Sequence, residues 1–238
     1  MAKGRAGAAS SMVLLMLGAA GAHARAADTQ QTQNVWTTWS SSMRLHDAWG
    51  LSADLTLRST DDWNDLRSIE FRPGITYAWS PRLSLAGGFS IVRNNDAGPD
   101  TTEKRLWAQF ATPMSLGRAR ITHRVRLEER FIERIGKPDV TATRVRYQVK
   151  AQIPFATPAG QPFTHGGYAL LQEETMVHVA GAAELNGHAF DQQRLYAGVG
   201  RRFTPAMDLE LSYLHQFVSG RTTDTRGHIV QVTWTTRF

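Results

Sequence analysis

From residue 35 to the carboxyl terminus, apolar side chains recur at every second position, and no comparable stretch repeats them at helical spacing. A period of two belongs to β-strands with unlike faces. Leu51, Leu55 and Leu57 alternate with Ser52, Asp54, Thr56 and Arg58, and Ile69, Phe71, Ile75, Tyr77 and Trp79 alternate with Glu70, Arg72, Gly74 and Thr76. Val125, Leu127 and Phe131 stand against Arg124, Arg126, Glu128 and Arg130; Val145, Tyr147 and Val149 stand against Arg144, Arg146 and Lys150. Leu195, Ala197 and Val199 oppose Arg194 and Gly198, and Leu209 and Leu211 oppose Glu210. A chain of 238 residues patterned in this way suffices for one all-β domain.

The connectors sort the strands. Tight turns are expected at 80–82, 113–117 and 204–206, and longer polar loops at 59–67, 94–102, 136–141, 176–191 and 219–227. Short turns on one rim and long loops on the other describe a transmembrane β-barrel built from segments of about 10 residues. The alternation yields eleven candidate strands, from 35–45 to 228–238. Bacterial single-chain barrels carry an even number. The expectation is therefore an antiparallel up-and-down transmembrane barrel of 10 or 12 strands, with 12 favoured. A water-soluble lipocalin-like carrier shares the alternation but turns its apolar face inward. Aromatics near strand ends, including Trp49, Tyr77, Trp79, Phe217 and Phe238, speak for the membrane form, whose interfaces carry aromatic girdles.

The amino terminus supplies a compartment. Lys3 and Arg5, the apolar run 12–21, and the small residues Ala22, Ala24 and Ala26 predict a signal peptide over 1–26, leaving a barrel over 27–238. That run is too short to cross hydrocarbon as a helix, which takes about 20 residues. Lys3, Arg5 and Arg25 account for half of the formal net charge of +6, so the mature chain is only mildly basic and no nucleic-acid partner is expected. With no Cys there is neither a disulfide scaffold nor a thiolate metal site. The expected location is the cell outer membrane, with its lipid as a partner. The final segment HIVQVTWTTRF has apolar Val230, Val232 and Trp234 in phase and ends on Phe238. It resembles the terminal signal through which the barrel-assembly machinery, a second expected partner, recognises such strands.

Several stretches resemble an uncharacterised bacterial family, domain of unknown function 2490, of outer-membrane barrels. They are FRPGITYAWS (71–80), RVRLEERF (124–131), TRVRYQ (143–148) and FDQQRLYAGVGRRF (190–203), together with an early Trp36. The resemblance implies fold and compartment and carries no catalytic residue with it.

If apolar faces meet lipid, Arg105, Arg120, Arg124, Arg126, Arg130, Arg144, Arg146, Lys150 and Arg194 point into the lumen. A cation facing the bilayer midplane costs about 2–4 kcal/mol. Glu70, Glu128, Glu173 and Glu210 are the expected counter-charges. The interior then reads first as a packed network of cross-strand ion pairs, since side chains fill a small barrel. It reads second as an anion-binding or anion-conducting path, since Arg presents a planar fork to carboxylate and phosphate. Enzyme signatures are thin: neither GxSxG nor HExxH occurs. His123 and His215 fall in phase with the apolar face. His178 and His188 share an expected loop with Glu184 and Asp191, and Asp61, Asp62 and Asp65 lack the Gly and terminal Glu of a calcium loop. No metal site, cofactor or catalytic residue is assigned. The expected role is structural or small-solute passage, possible anions included, with a membrane-embedded hydrolase and a periplasmic carrier as the alternatives.

Overall fold

A computed structural model describes residues 28–95 and 100–238. The expected signal peptide lies outside the described residues. Eleven strands follow one another: β1 (Asp28–His46), β2 (Trp49–Ser59), β3 (Leu66–Ser80), β4 (Leu83–Asn94), β5 (Thr101–Leu116), β6 (Ala119–Arg134), β7 (Val140–Pro154), β8 (Gly166–Ala180), β9 (Phe190–Thr204), β10 (Met207–Val218) and β11 (Thr223–Arg237). Each pairs with its sequence neighbours antiparallel, and β1 closes the barrel against β11 in parallel.

The count of 10 or 12 is thus corrected to eleven. An even number follows only when the first and last strands run in opposite directions. Here β1 starts beside Thr223 at the rim of long loops, and its later residue Ser42 pairs with Arg237 at the other rim. Both strands run the same way, and an odd number closes. Beyond β11, the Phe238 amide donates to the Ser42 carbonyl at 2.8 Å and the Arg44 amide donates to the Phe238 carbonyl at 3.0 Å, so the seam stays paired to the last residue. Following paired residues once round, from Arg44 through Gly50, Thr76, Ala86, Gln109, Arg126, Arg146, Met176, Gln192, Val218 and Thr225, the path returns to β1 at Gln30. This displacement is the stagger that closure of tilted strands demands.

The period-two pattern sets the two faces. Trp39, Trp49, Phe71, Trp79, Leu106, Phe110, Leu195 and Val199 are exposed on the outer wall, while Glu70, Glu103, Arg105, Arg126, Glu128, Arg144, Arg146 and Glu174 are buried inside. Aromatics gather at the short-turn rim: Trp49 and Tyr77 rings are 4.7 Å apart, Tyr77 and Trp79 6.2 Å, and Phe203 and Trp234 6.5 Å.

Several connectors differ from expectation, and residues 223–227 of the expected loop 219–227 belong to β11. Pro113 lies within β5, paired with Thr122, and the turn is 117–118. Met176 and Asp191 belong to β8 and β9, leaving 181–189 as the loop between them. At the rim of tight turns, β7 and β8 are joined by the long segment 155–165, rich in Pro and Gly, whose Phe163 is buried against Tyr168.

Candidate functional site

The lumen holds a lattice in which carboxylates and guanidiniums alternate. Glu70 on β3 accepts from Arg58 Nη2 at 2.5 Å, from Arg105 Nη1 at 3.1 Å, and from Arg72. Arg105 donates a fork to Glu103, with Nε at 2.6 Å and Nη2 at 2.9 Å, and Arg130 Nε reaches the same carboxylate at 2.5 Å. Glu128 on β6 binds Arg144 Nη2 at 2.6 Å and Arg146 Nη1 at 2.8 Å. Arg146 continues to Glu174 at 2.8 Å, which also takes Arg124 Nη2 at 2.9 Å and lies 3.6 Å from Arg194. Some shared guanidiniums tie strands that are not neighbours, as Arg105 on β5 ties to Glu70 on β3 and Arg144 on β7 ties to Asp191 on β9.

Local irregularity positions one further acid. Met176 pairs with Gln192 and Val177 with Phe190, so Asp191 is the extra residue of a bulge. Its carboxylate accepts from Arg144 Nη1 at 2.7 Å and lies 3.4 Å from His178 Nε2. At the opposite end, Lys150 Nζ donates to Glu210 at 2.9 Å, as do the Tyr168 hydroxyl at 2.8 Å and Gln152 at 3.1 Å. Arg202 Nε and Arg237 Nη2 share Asp208, at 2.7 and 2.8 Å.

Arg126 stands apart from this alternation. Its Nε and Nη2 donate to Gln109 Oε1 at 2.9 and 2.6 Å, and the nearest Glu128 oxygen is 3.7 Å from Nη1. The Trp107 ring lies 4.7 Å beneath the guanidinium, a cation–π contact. Glycine makes room for that indole: a Cβ at Gly74 falls 2.6 Å from the Trp107 ring and one at Gly88 falls 2.9 Å from it. A similar relation holds between Gly200 and the Tyr168 ring.

All the arginines named from the sequence, with Lys150, Glu70, Glu128 and Glu210, lie on the inward register. Arg120 sits apart from the lattice at the short-turn mouth. Glu173 does not face inward. It shares parity with the exposed Leu171 and Val179, and on the outer wall it accepts from the Thr175 hydroxyl at 2.5 Å. Glu174 takes the inward place. Adjacent acids on a strand face opposite ways, and the parity of Leu171 in the sequence carried that signal. Glu103, Arg58, Arg72, Asp191 and Asp208 were missed as well. Glu103 is two positions from Arg105, the same-face spacing of a strand, whereas Asp191 depends on a bulge that alternation does not announce.

His215 and His228 pair across β10 and β11 with ring centroids 5.6 Å apart, and His228 also meets the Tyr213 hydroxyl at 2.6 Å. His123 meets the Tyr147 hydroxyl at 2.8 Å on the outer wall, while His178 faces inward. Among the described residues no group of three His, Cys, Asp or Glu side chains converges as a metal site would require. The acidic cluster shapes its own loop: the Thr60 hydroxyl and the Asn64 amide each donate to Asp62 at 2.7 Å, and the Leu66 amide donates to Asp65 at 2.7 Å. Those bonds, the Thr60 one foremost, hold the Asp62 carboxyl below the usual carboxylate range.

A family model described as "Protein of unknown function (DUF2490)" matches residues 33–227, nearly the whole barrel. The chain belongs to this DUF2490 family. No curated protein matches it. Among solved structures it is similar to the siderophore receptor PirA from Pseudomonas aeruginosa, at 12% identity and a TM-score of 0.30, over 74% of this chain and 33% of the receptor. The DUF2490 chain thus spans about a third of that receptor's length.

Proposed function

We propose that this DUF2490 protein is an integral outer-membrane β-barrel whose lumen is closed by its own ion-pair lattice, with a structural rather than a conducting role. The observation that carries the reading is inverted polarity. Trp79 is 67% exposed on the outer wall, whereas Glu128 inside is 1% exposed. In water this arrangement would leave a continuous apolar surface unburied, against the preference behind the hydrophobic effect. In a bilayer the same wall meets hydrocarbon, and the rim aromatics lie where interfacial girdles belong. The lattice supports occlusion because its charges are engaged with one another across the lumen rather than lining an open path.

Fractionation tests location: the protein is expected in the detergent-extracted outer membrane with heat-modifiable gel mobility, and recovery from the soluble periplasm overturns the reading. Planar bilayers test occlusion. Small or absent conductance is expected, and a steady single-channel current refutes a closed lumen.

A further inference from the structure

The segment 155–165 lies across the short-turn mouth and is fastened there by three arginines. Arg118 Nη1 donates to the Phe155 carbonyl at 3.2 Å, Arg120 Nη2 to the Gln161 carbonyl at 3.1 Å, and Arg202 Nη1 to the Phe163 carbonyl at 2.8 Å. Two cavities flank Arg120. One, of about 250 Å³, lies between the segment and the β5–β6 turn and is lined by Arg118, Arg120, Ser115 and Thr157. The other, of about 270 Å³, opens into the lumen and is lined by Arg120, Lys150, Arg237 and the hydroxyls of Ser40, Thr122 and Thr235.

The charge balance of this mouth differs from that of the lattice above it. The carboxylate lining these cavities belongs to Glu210, and it is already bonded to Lys150, Gln152 and Tyr168. Arg237 is matched by Asp208. Among the described residues Arg118 and Arg120 have only backbone carbonyls as bonded partners, and the Phe163 ring lies 5.8 Å from the Arg120 guanidinium. A carbonyl fixes the orientation of a guanidinium without neutralising it. The result is a pair of oriented cations beside hydroxyl donors, in polar spaces large against the ~30 Å³ a water occupies.

We propose that this mouth binds a phosphate-class oxyanion in the cavity between the segment and the β5–β6 turn, with Arg120 as the principal ligand and Arg118 and the hydroxyls of Ser115 and Thr157 completing the site. Arg suits that role because its planar fork matches two oxygens of an oxyanion at once. Binding also couples to the 155–165 segment, since Arg120 holds both the anion and Gln161. The site lies outside the packed lattice and requires neither conduction nor a membrane, so its test is independent of the role proposed above.

The test uses the full mature chain, folded in detergent, titrated with inorganic phosphate at constant ionic strength maintained with sodium chloride. A saturable rise in melting temperature is expected, with the apparent dissociation constant weakened at least tenfold in Arg120→Gln and unchanged in Arg93→Gln, an outward arginine at the far rim. A parallel titration with glycerol 3-phosphate separates a free ion from a headgroup: tighter binding with the same Arg120 dependence assigns the site to phosphomonoesters, and equal binding to the oxyanion alone. A linear, unsaturating response to both ligands, or an Arg120→Gln variant that responds like wild type, overturns the proposal. A measurement on wild type alone guards against misfolding of the variant. Phosphate is expected to slow chymotrypsin cleavage within 155–165, and an unchanged rate speaks against the site.

Discussion

The two sides of the lumen are built from different physics. The wall formed by β3 to β8 presents Glu70, Glu103, Arg105, Glu128, Arg144, Arg146 and Glu174, nearly all buried and bonded to one another. The wall formed by β9, β10, β11 and β1, beside its ionic groups Asp191, Asp208 and Glu210, presents Tyr196, Leu214, Ile229 and Trp36, an apolar cluster over which Arg58 and Arg194 lie at 4.8 and 5.1 Å from the Trp36 ring. Apolar packing is non-directional and tolerates small slips of one strand past another. A guanidinium that must meet a particular carboxylate on another strand does not. The charged wall therefore fixes which residue stands opposite which. The apolar wall supplies cohesion beside the β1–β11 seam, where parallel pairing is slightly weaker per residue.

The largest effect should come from removing one acid from the charged wall. Glu128→Ala leaves Arg144 and Arg146 buried without their shared partner, and a loss of roughly 3–5 kcal/mol is expected in reversible urea unfolding from detergent. Arg144→Ala should cost less, because Glu128 keeps Arg146; the reverse order would mean that the lattice is not organised around its acids. On the apolar wall, Leu214→Ala is expected to cost about 3 kcal/mol, from lost transfer energy and the cavity left behind. It should leave the urea midpoint of the same magnitude of shift at low and high salt, unlike a change that exposes charge. The smallest effect is the sharpest discriminator. Replacing Glu128 and Arg146 together by Leu and Met removes one buried charge of each sign, leaves Arg144 with Asp191 and Glu174 with Arg124, and should change stability by about 1 kcal/mol or less, since well-packed apolar groups often match a buried ion pair. If the double variant is as unstable as Glu128→Ala, the charged wall supplies stability and not only register.

Much of this arrangement is legible in the sequence, and the parts that are not share a cause. Parity along a strand is local, so Leu127 outward and Glu128 inward can be read from neighbours alone. Glu173 and Glu174 are decided by the same rule, through Leu171. Partner choice across the lumen is not local: nothing within β5 says that Arg105 meets Glu70 on β3 as well as Glu103 beside it. Strand count fails for another reason. The alternation supplies eleven segments, but whether the first and last run together is a property of closure, which no single segment carries. The bulge at Asp191 and the fold of 155–165 onto Phe163 likewise depend on what the finished barrel places around them.

The parallel seam has a consequence for how the barrel is made. Ten of its strand pairings join sequence neighbours, so each can form as soon as its hairpin exists, with little loop entropy to overcome. The eleventh joins opposite ends of the chain, where the Trp39 indole donates to the Thr236 hydroxyl at 3.1 Å. That contact has the greatest sequence separation a barrel offers, the kind that slows folding. Until it forms, β1 and β11 are both open edges with unpaired amides and carbonyls, each a template for a foreign strand. Assembly therefore has a single late, vulnerable moment, and any factor that holds one edge while the other arrives acts on the rate of folding rather than on the stability of the folded barrel.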